Sequence, residues 1–174
     1  MEIDYKKFFI LNKIKGINYL IVEEEKIDDN SIAQITIKKM EELKIFKADI
    51  VILKGRKKKK LTLVVLDDNS GQLSDNKIRL NEVARKNLGV KIGDMISINK
   101  CPIIPVGMRV KILPLEDKIK EITGNLTQQY IIPYFKDNFR PVTKGEIFVC
   151  KKDNNIVKFK VVDCEPGLSC IVGP

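Results

Sequence analysis

Apolar and polar residues alternate along most of this chain in short runs, or apolar ones stand together for about four positions. Such runs predict strands at 20–22, 32–37, 50–53, 61–66, 95–98 and 108–113, with further strands at 146–150, 156–163 and 168–172. Helical signals are fewer and shorter. One covers 38–44. A second covers 81–88, with Asn81 placed to cap its start and Gly89 to close its end. A third runs over 125–131 and should stop before Pro133, because a proline disfavours helical geometry in the residue ahead of it. The pattern is that of a mainly β protein punctuated by helices.

An internal repeat emerges at an offset of 45 residues. Residues 43–53 (LKIFKADIVIL) align with 88–98 (LGVKIGDMISI), sharing the apolar positions and the aspartates Asp49 and Asp94. Each copy reads as strand, short helix, tight turn ending in a small residue and Asp, then strand. A return strand is expected after each, at 61–66 and 108–113. Neither half can bury its apolar face alone, so two such units intertwined about a pseudo-twofold axis would close a six-stranded barrel without free edges. Chance resemblance of two hairpins is the alternative. The unit should end near the proline-punctuated stretch 101–105. The expected division is therefore 1–104, with 1–17 as an N-terminal extension, and 105–174 as a second, smaller β subdomain.

Composition changes the picture mainly by what it lacks. The 174 residues include no histidine, which removes the Ser-His-Asp and Cys-His nucleophile systems and every His-containing metal site. The four cysteines, Cys101, Cys150, Cys164 and Cys170, form no C-x-x-C pair, so a zinc site has no spacing motif behind it. Free cysteines in apolar runs behave as small core residues, and a reducing compartment is the default reading. The net charge of +9 could indicate a nucleic acid or anionic membrane. It comes from 27 Lys and only 5 Arg beside 26 Ile and 12 Asn, a composition expected from AT-rich codons. Arg, not Lys, makes the planar two-point contacts to phosphate and guanine. No apolar run exceeds four residues, far short of the ~20 needed to span a bilayer.

No phosphate-cradling glycine motif is present. The run Arg56-Lys57-Lys58-Lys59-Lys60 lies between two expected strands and reads as a solvated hairpin tip, with a phosphate contact as the alternative. The pairs Asp28-Asp29, Asp67-Asp68 and Glu116-Asp117 sit in turn contexts, where the carboxylates serve turn formation ahead of metal binding or acid–base work. Asp49 and Asp94 are expected to tie their turns through backbone hydrogen bonds. No catalytic set emerges, and no enzyme activity is expected of this chain itself.

Segments across 10–174 resemble the N-terminal domain of the valosin-containing protein ATPases, the hexameric AAA unfoldases also called transitional endoplasmic reticulum ATPases. They include 77–81 (KIRLN), 85–88 (RKNL), 93–98 (GDMISI), 122–126 (ITGNL), 133–135 (PYF), 139–141 (FRP), 144–148 (KGEIF), 159–162 (FKVV) and 170–172 (CIV). The resemblance implies a double-psi β-barrel followed by a small four-stranded β-barrel. It implies a non-catalytic module that docks adaptor proteins with UBX or other ubiquitin-like folds, or with short linear motifs, and so recruits ubiquitinated substrates. The ATPase modules of the parent homohexamer, with their ATP and magnesium, lie outside this chain, and a G-x-x-x-x-G-K-[ST] motif is expected beyond Pro174. No cofactor is expected in this fragment. Positions matching the adaptor cleft are Asp29, Ile32, Phe46, Lys47, Asp49, Val64, Leu66 and Phe139. Lys91 and Lys151 match basic positions facing the first ATPase module. The chain departs from the family at Lys47, Ala48, Val106 and Phe139, and on the small barrel at Thr127 and Ser169. These departures suggest a retained fold with an altered adaptor set, as in a diverged paralogue. The family default is a cytoplasmic or nuclear location; a diverged paralogue would suit a relict plastid. The other reading is a free-standing basic double-psi barrel that binds nucleic acid through the hairpin tip and its Lys face.

Overall fold

The computed structural model describes residues 16–25, 27–115 and 124–174. The expected N-terminal extension up to residue 15 and the Glu116-Asp117 pair lie outside the described residues. The chain divides into two units between Pro102 and Ile103.

The first unit contains strands β1 (Tyr19–Glu24), β2 (Ile32–Ile35), β3 (Ile50–Lys54), β4 (Lys60–Asp67), β5 (Lys77–Leu80) and β6 (Met95–Lys100). Helix α1 (Ile37–Leu43) follows β2 and helix α2 (Glu82–Leu88) follows β5. The strands close a barrel in the order β1-β5-β2-β4-β3-β6. β1 pairs with β5, and β2 with β4, in parallel; the other neighbours are antiparallel. Alternation along each strand sends Leu20, Ala33, Ile35, Val51, Leu53, Leu63 and Val65 into the core, every one almost fully buried. At about 1.5–3 kcal/mol per fully buried Leu, Ile or Val side chain, this interior is the main stabilising term of the unit.

The 45-residue repeat is present in the hydrogen bonds. The Thr36 hydroxyl accepts the Lys39 amide at the start of α1, and Asn81 Oδ1 accepts the Ala84 amide at the start of α2. Both helices end in a left-handed residue, Lys44 and Gly89. Ala48 N–H donates to Val65 C=O as Gly93 N–H donates to Val22 C=O, and Val65 and Val22 donate in turn to Asp49 and Asp94. The strand equivalent to β4 in the second copy is therefore β1, not the stretch 108–113 expected from sequence. The expectation followed chain order. Barrel closure instead takes the strand preceding the first copy, whose register against β6 matches that of β4 against β3. Strand β5 was not among the strands read from the alternation, because its four residues carry two cations. The stretch 32–37 ends earlier than expected: Thr36 leaves the strand to cap α1.

The second unit holds β7 (Arg109–Pro114), β8 (Arg140–Thr143), β9 (Ile147–Lys152), β10 (Asn155–Glu165) and β11 (Ser169–Val172). The described strands form a three-stranded sheet, β7-β10-β9, and a two-stranded sheet, β11-β8. Strand 108–113, assigned from sequence to the barrel, belongs here and pairs with β10. β8 was not among the strands read from sequence; its Pro141 sits in a two-stranded sheet, where a missing N–H is tolerated. The helix expected to stop before Pro133 runs through it. A π turn (Thr127–Ile131) passes into helix α3 (Ile132–Lys136), and the Ile132 amide reaches back to Thr127 C=O. The wider turn and a place in the first turn of α3 give the proline ring room. The core is aromatic: Phe148 stacks between Tyr134 and Phe159, at 4.9 and 5.4 Å between ring centres.

Two consequences can be measured. Ala48 holds φ +70°, where the equivalent residue of the other copy is Gly93. Ala48→Gly should stabilise the chain by roughly 0.5–1 kcal/mol in urea unfolding, and Gly93→Ala should cost about the same. Glu146 is partly buried at the start of β9, and burial pushes its carboxyl up to about 8, against the Thr143 amide that favours the charged form. Between the ordinary carboxylate range and pH 8 the folded chain holds a proton that the unfolded chain releases. The stability it contributes is complete at low pH and is lost as pH rises through 8. Glu146→Gln should flatten that decline in melting temperature between pH 5 and 9.

Candidate functional site

Three of the expected cleft residues lie side by side on the outside of the first unit. Ile32 of β2 and Val64 of β4 are direct partners, and Ile50 of β3 sits opposite Val64 on its other side. Leu66 lies two residues further along β4, on the same face. All four are partly exposed while their neighbours Ala33, Val51, Val65 and Leu63 point inward. The outward residues thus form a continuous apolar patch, and the inward ones form the core.

Phe46 and Lys47 stand in the turn between α1 and β3, which is bonded to β4 through Ala48 and Asp49. The turn closes on itself because Asp49 Oδ2 accepts the Phe46 amide at 2.8 Å and Asp49 N–H donates to Phe46 C=O at 3.0 Å. Phe46 is consequently displayed, 70% exposed, instead of packing inward. Lys100 at the end of β6 places its ammonium 2.8 Å from Asp49 Oδ2 and 5.3 Å from the centre of the Phe46 ring. Lys47 pairs with Asp67 at 3.0 Å. Partial burial acts to raise the Asp49 pKa, but the Lys100 hydrogen bond, the Phe46 amide and the Lys100 charge outweigh it and hold the carboxyl below its usual range. The Lys47 hydrogen bond, and then the Asp67 amide, depress Asp67 likewise. Asp29 caps the entry to β2, accepting the Ser31 amide at 2.8 Å.

Of the expected residues, the structure gathers Ile32, Val64, Leu66, Phe46, Lys47 and Asp49 onto one barrel surface, with Asp29 just ahead of β2. Phe139 belongs to the second unit, where it is 67% exposed and its ring lies so close to Gly173 that a Cβ there would overlap it. Lys91 is exposed, in the turn equivalent to that of Phe46, with its amide bonded to Asp94 at 2.8 Å. Lys151 is exposed on β9 and borders a cavity of about 350 Å³ lined also by Tyr130, Pro133, Tyr134, Cys150 and Lys152. Val106 and Thr127 are exposed, and the Ser169 hydroxyl donates to Thr143 Oγ1 at 3.2 Å. Ile50 and Lys100 were not among the residues singled out from sequence. Ile50 was hidden in the unbroken run 50–53, where in and out look alike. Lys100 has no local signal, since the chain places it 54 residues from Phe46.

The acidic pairs have structural partners. Asp68 binds Arg79 in a largely buried ion pair and accepts from the Ser70 hydroxyl, while Asp67 takes Lys47. Arg56 of the basic hairpin turns back to Asp94 at 2.8 Å, and Lys57–Lys60 remain exposed. Among the described residues, no group of three or more Cys, Asp or Glu is placed to hold a metal ion, and no helix is long and apolar enough to cross a membrane.

The family comparison coincides with the first unit. The family model described as Cell division protein 48 (CDC48), N-terminal domain, matches residues 19–104, from the first residue of β1 to just past the break between the units. Its span takes in all six barrel strands, both capped helices and the Phe46 turn. Through residues 19–104, the chain belongs to the CDC48 N-terminal domain family.

Proposed function

We propose that this chain is the adaptor-docking N-terminal module of an AAA ATPase, with the surface formed by Ile32, Ile50, Val64, Leu66 and Phe46 as the docking patch. The observation that carries this reading is internal to the barrel. At the positions equivalent to Ile32, Leu66 and Phe46, the other half of the same barrel has Lys77, Glu23 and Lys91. The fold therefore does not require apolar residues there. An exposed aromatic beside aliphatic strand residues, with a charged rim, is the composition of an interface hot spot.

The proposed partners are ubiquitin-like UBX domains or short adaptor motifs that bring ubiquitinated substrates to the parent homohexamer. That parent would unfold, extract or translocate them with ATP and magnesium bound in its own modules. Phe139, exposed on the second unit, is proposed as an adaptor contact of that unit by itself. Lys91 and Lys151 are assigned to contact with the first ATPase module. Exposed Val106 and Thr127, together with Ser169, support an altered adaptor set and a diverged paralogue, located in the cytoplasm, the nucleus or a relict plastid.

Calorimetric titration with UBX domains and with short adaptor peptides tests both parts. Full family-like affinity for both ligand classes would rule out an altered set. For whichever ligand binds, Phe46→Ala should weaken it about 30-fold, the loss of a hot spot of about 2 kcal/mol. Lys91→Ala should leave the affinity of the isolated chain unchanged. Undiminished binding by Phe46→Ala would refute the patch.

A further inference from the structure

Two of the four cysteines meet inside the second unit. Cys164 lies near the end of β10 and Cys170 within β11, both almost fully buried in the aromatic core. Backbone hydrogen bonds bring the two strand ends together. Gly107 N–H donates to Ile171 C=O and Met108 N–H donates to Glu165 C=O, each at 2.8 Å. Each of these carbonyls belongs to the residue next after a cysteine, so one dipeptide pins both cysteine-bearing segments. The thiols then hydrogen-bond to each other, Cys164 donating to the Cys170 sulfur.

The neighbours leave room for this pair. Gly107 lies so close to Cys170 that a Cβ at 107 would stand 2.9 Å from its sulfur. Any larger residue would push that sulfur aside. The other cysteines have no part in the pair: Cys101 belongs to the first unit, and Cys150 faces Val157 near the opposite end of β10. Burial, and then the charge of Cys170, push the Cys164 thiol up to about 12. Burial raises Cys170 as well, while the Cys164 S–H it accepts acts in the opposite direction. The resting state is therefore a dithiol, and Cys170 is the sulfur whose thiolate has a donor in place.

We propose that Cys164 and Cys170 form a redox site, in which a hydroperoxide converts the two thiols to a disulfide that clamps β10 to β11. β11 is a four-residue strand in a two-stranded sheet, an element whose local opening admits a small oxidant. The Cys170 thiolate attacks a peroxide oxygen and the O–O bond breaks. Cys170 becomes a sulfenic acid, and the departing hydroxide takes up the Cys170 proton as water. The Cys164 sulfur then attacks the Cys170 sulfur, the S–O bond breaks, and the Cys164 proton leaves with a second water. Two thiols and one hydrogen peroxide thus give one disulfide and two waters, two electrons passing from sulfur to oxygen. Because the resolving thiol already touches the first, ring closure competes well with further oxidation of the sulfenic acid.

The test treats the reduced 174-residue chain with hydrogen peroxide, without denaturant, and then blocks free thiols with iodoacetamide. Trypsin cuts after Lys160, so Cys164 and Cys170 share the peptide 161–174, while Cys150 falls in 145–151 and Cys101 in 101–109. Peptide 161–174 should lose two hydrogens and resist alkylation, and dithiothreitol should restore both thiols. The bridged chain should melt about 5 °C above the reduced one. Cys164→Ser and Cys170→Ser should each abolish the mass change and the shift, and Cys150→Ser should keep both. If a serine variant fails to fold, reversal by dithiothreitol on the unmutated chain carries the test. Two free thiols in 161–174 at a dose that oxidises Cys101 would overturn the proposal. So would sulfinic acids in that peptide, a bridge that forms only in urea, or a bridge that lowers the melting temperature.

Discussion

Two aspartates, Asp49 and Asp94, hold the turns on which the barrel half-units depend. Each carboxylate accepts the amide three residues before it, so the chain leaving the helix is bent into a fixed loop. The residue before each aspartate then donates to the partner strand, and the aspartate C=O receives an amide in return. At each turn these three bonds tie the chain leaving the helix to the partner strand. They add to what already holds each seven-residue helix, the Thr36 or Asn81 cap and the burial of Met40 or of Ala84 and Leu88 in the core, since short helices gain stability from tertiary packing more than from propensity.

The same constraint creates the candidate site. A turn locked by its own aspartate can display a side chain without the rest of the loop collapsing on it, and Phe46 is displayed in this way. Lys100 then secures both the aspartate and the ring edge. The pseudo-twofold provides an internal comparison: one architecture, repeated, in which Ile32, Leu66 and Phe46 of one half stand where the other has Lys77, Glu23 and Lys91, while Ile50 and Val64 have the apolar equivalents Met95 and Ile21. The interior positions are paired by symmetry and remain apolar in both halves, as core packing demands. Three of the exterior positions, those of Ile32, Leu66 and Phe46, have diverged to charged residues.

Much of this was legible from pattern alone. Asn81 and Gly89 marked the ends of α2, the repeated small-Asp turn marked the half-units, and alternating or unbroken apolar runs marked most strands. Misreadings occurred where local signals were weak or shared. The short strand with Pro141 was not read, and it occupies a two-stranded sheet that tolerates the proline. Pro133 looked like a stop but falls where a π turn widens the helix. The third strand of the second copy was sought downstream because a repeat suggests tandem order, whereas the barrel draws β1 from upstream. The run 50–53 concealed an outward Ile50, since an unbroken apolar strand does not say which face is wet.

The sequence by itself determined the mainly β character, the two halves, the helix caps and the absence of histidine chemistry. Each is a property of residue type and of spacing within a few tens of positions. Tertiary structure decided which strand closes the barrel, which outward residues become neighbours and where Lys100 meets Phe46 and Asp49. These contacts join residues far apart in the chain. They follow from closure of the sheet and from which carboxylate reaches which ammonium once it has closed, and no local periodicity encodes them.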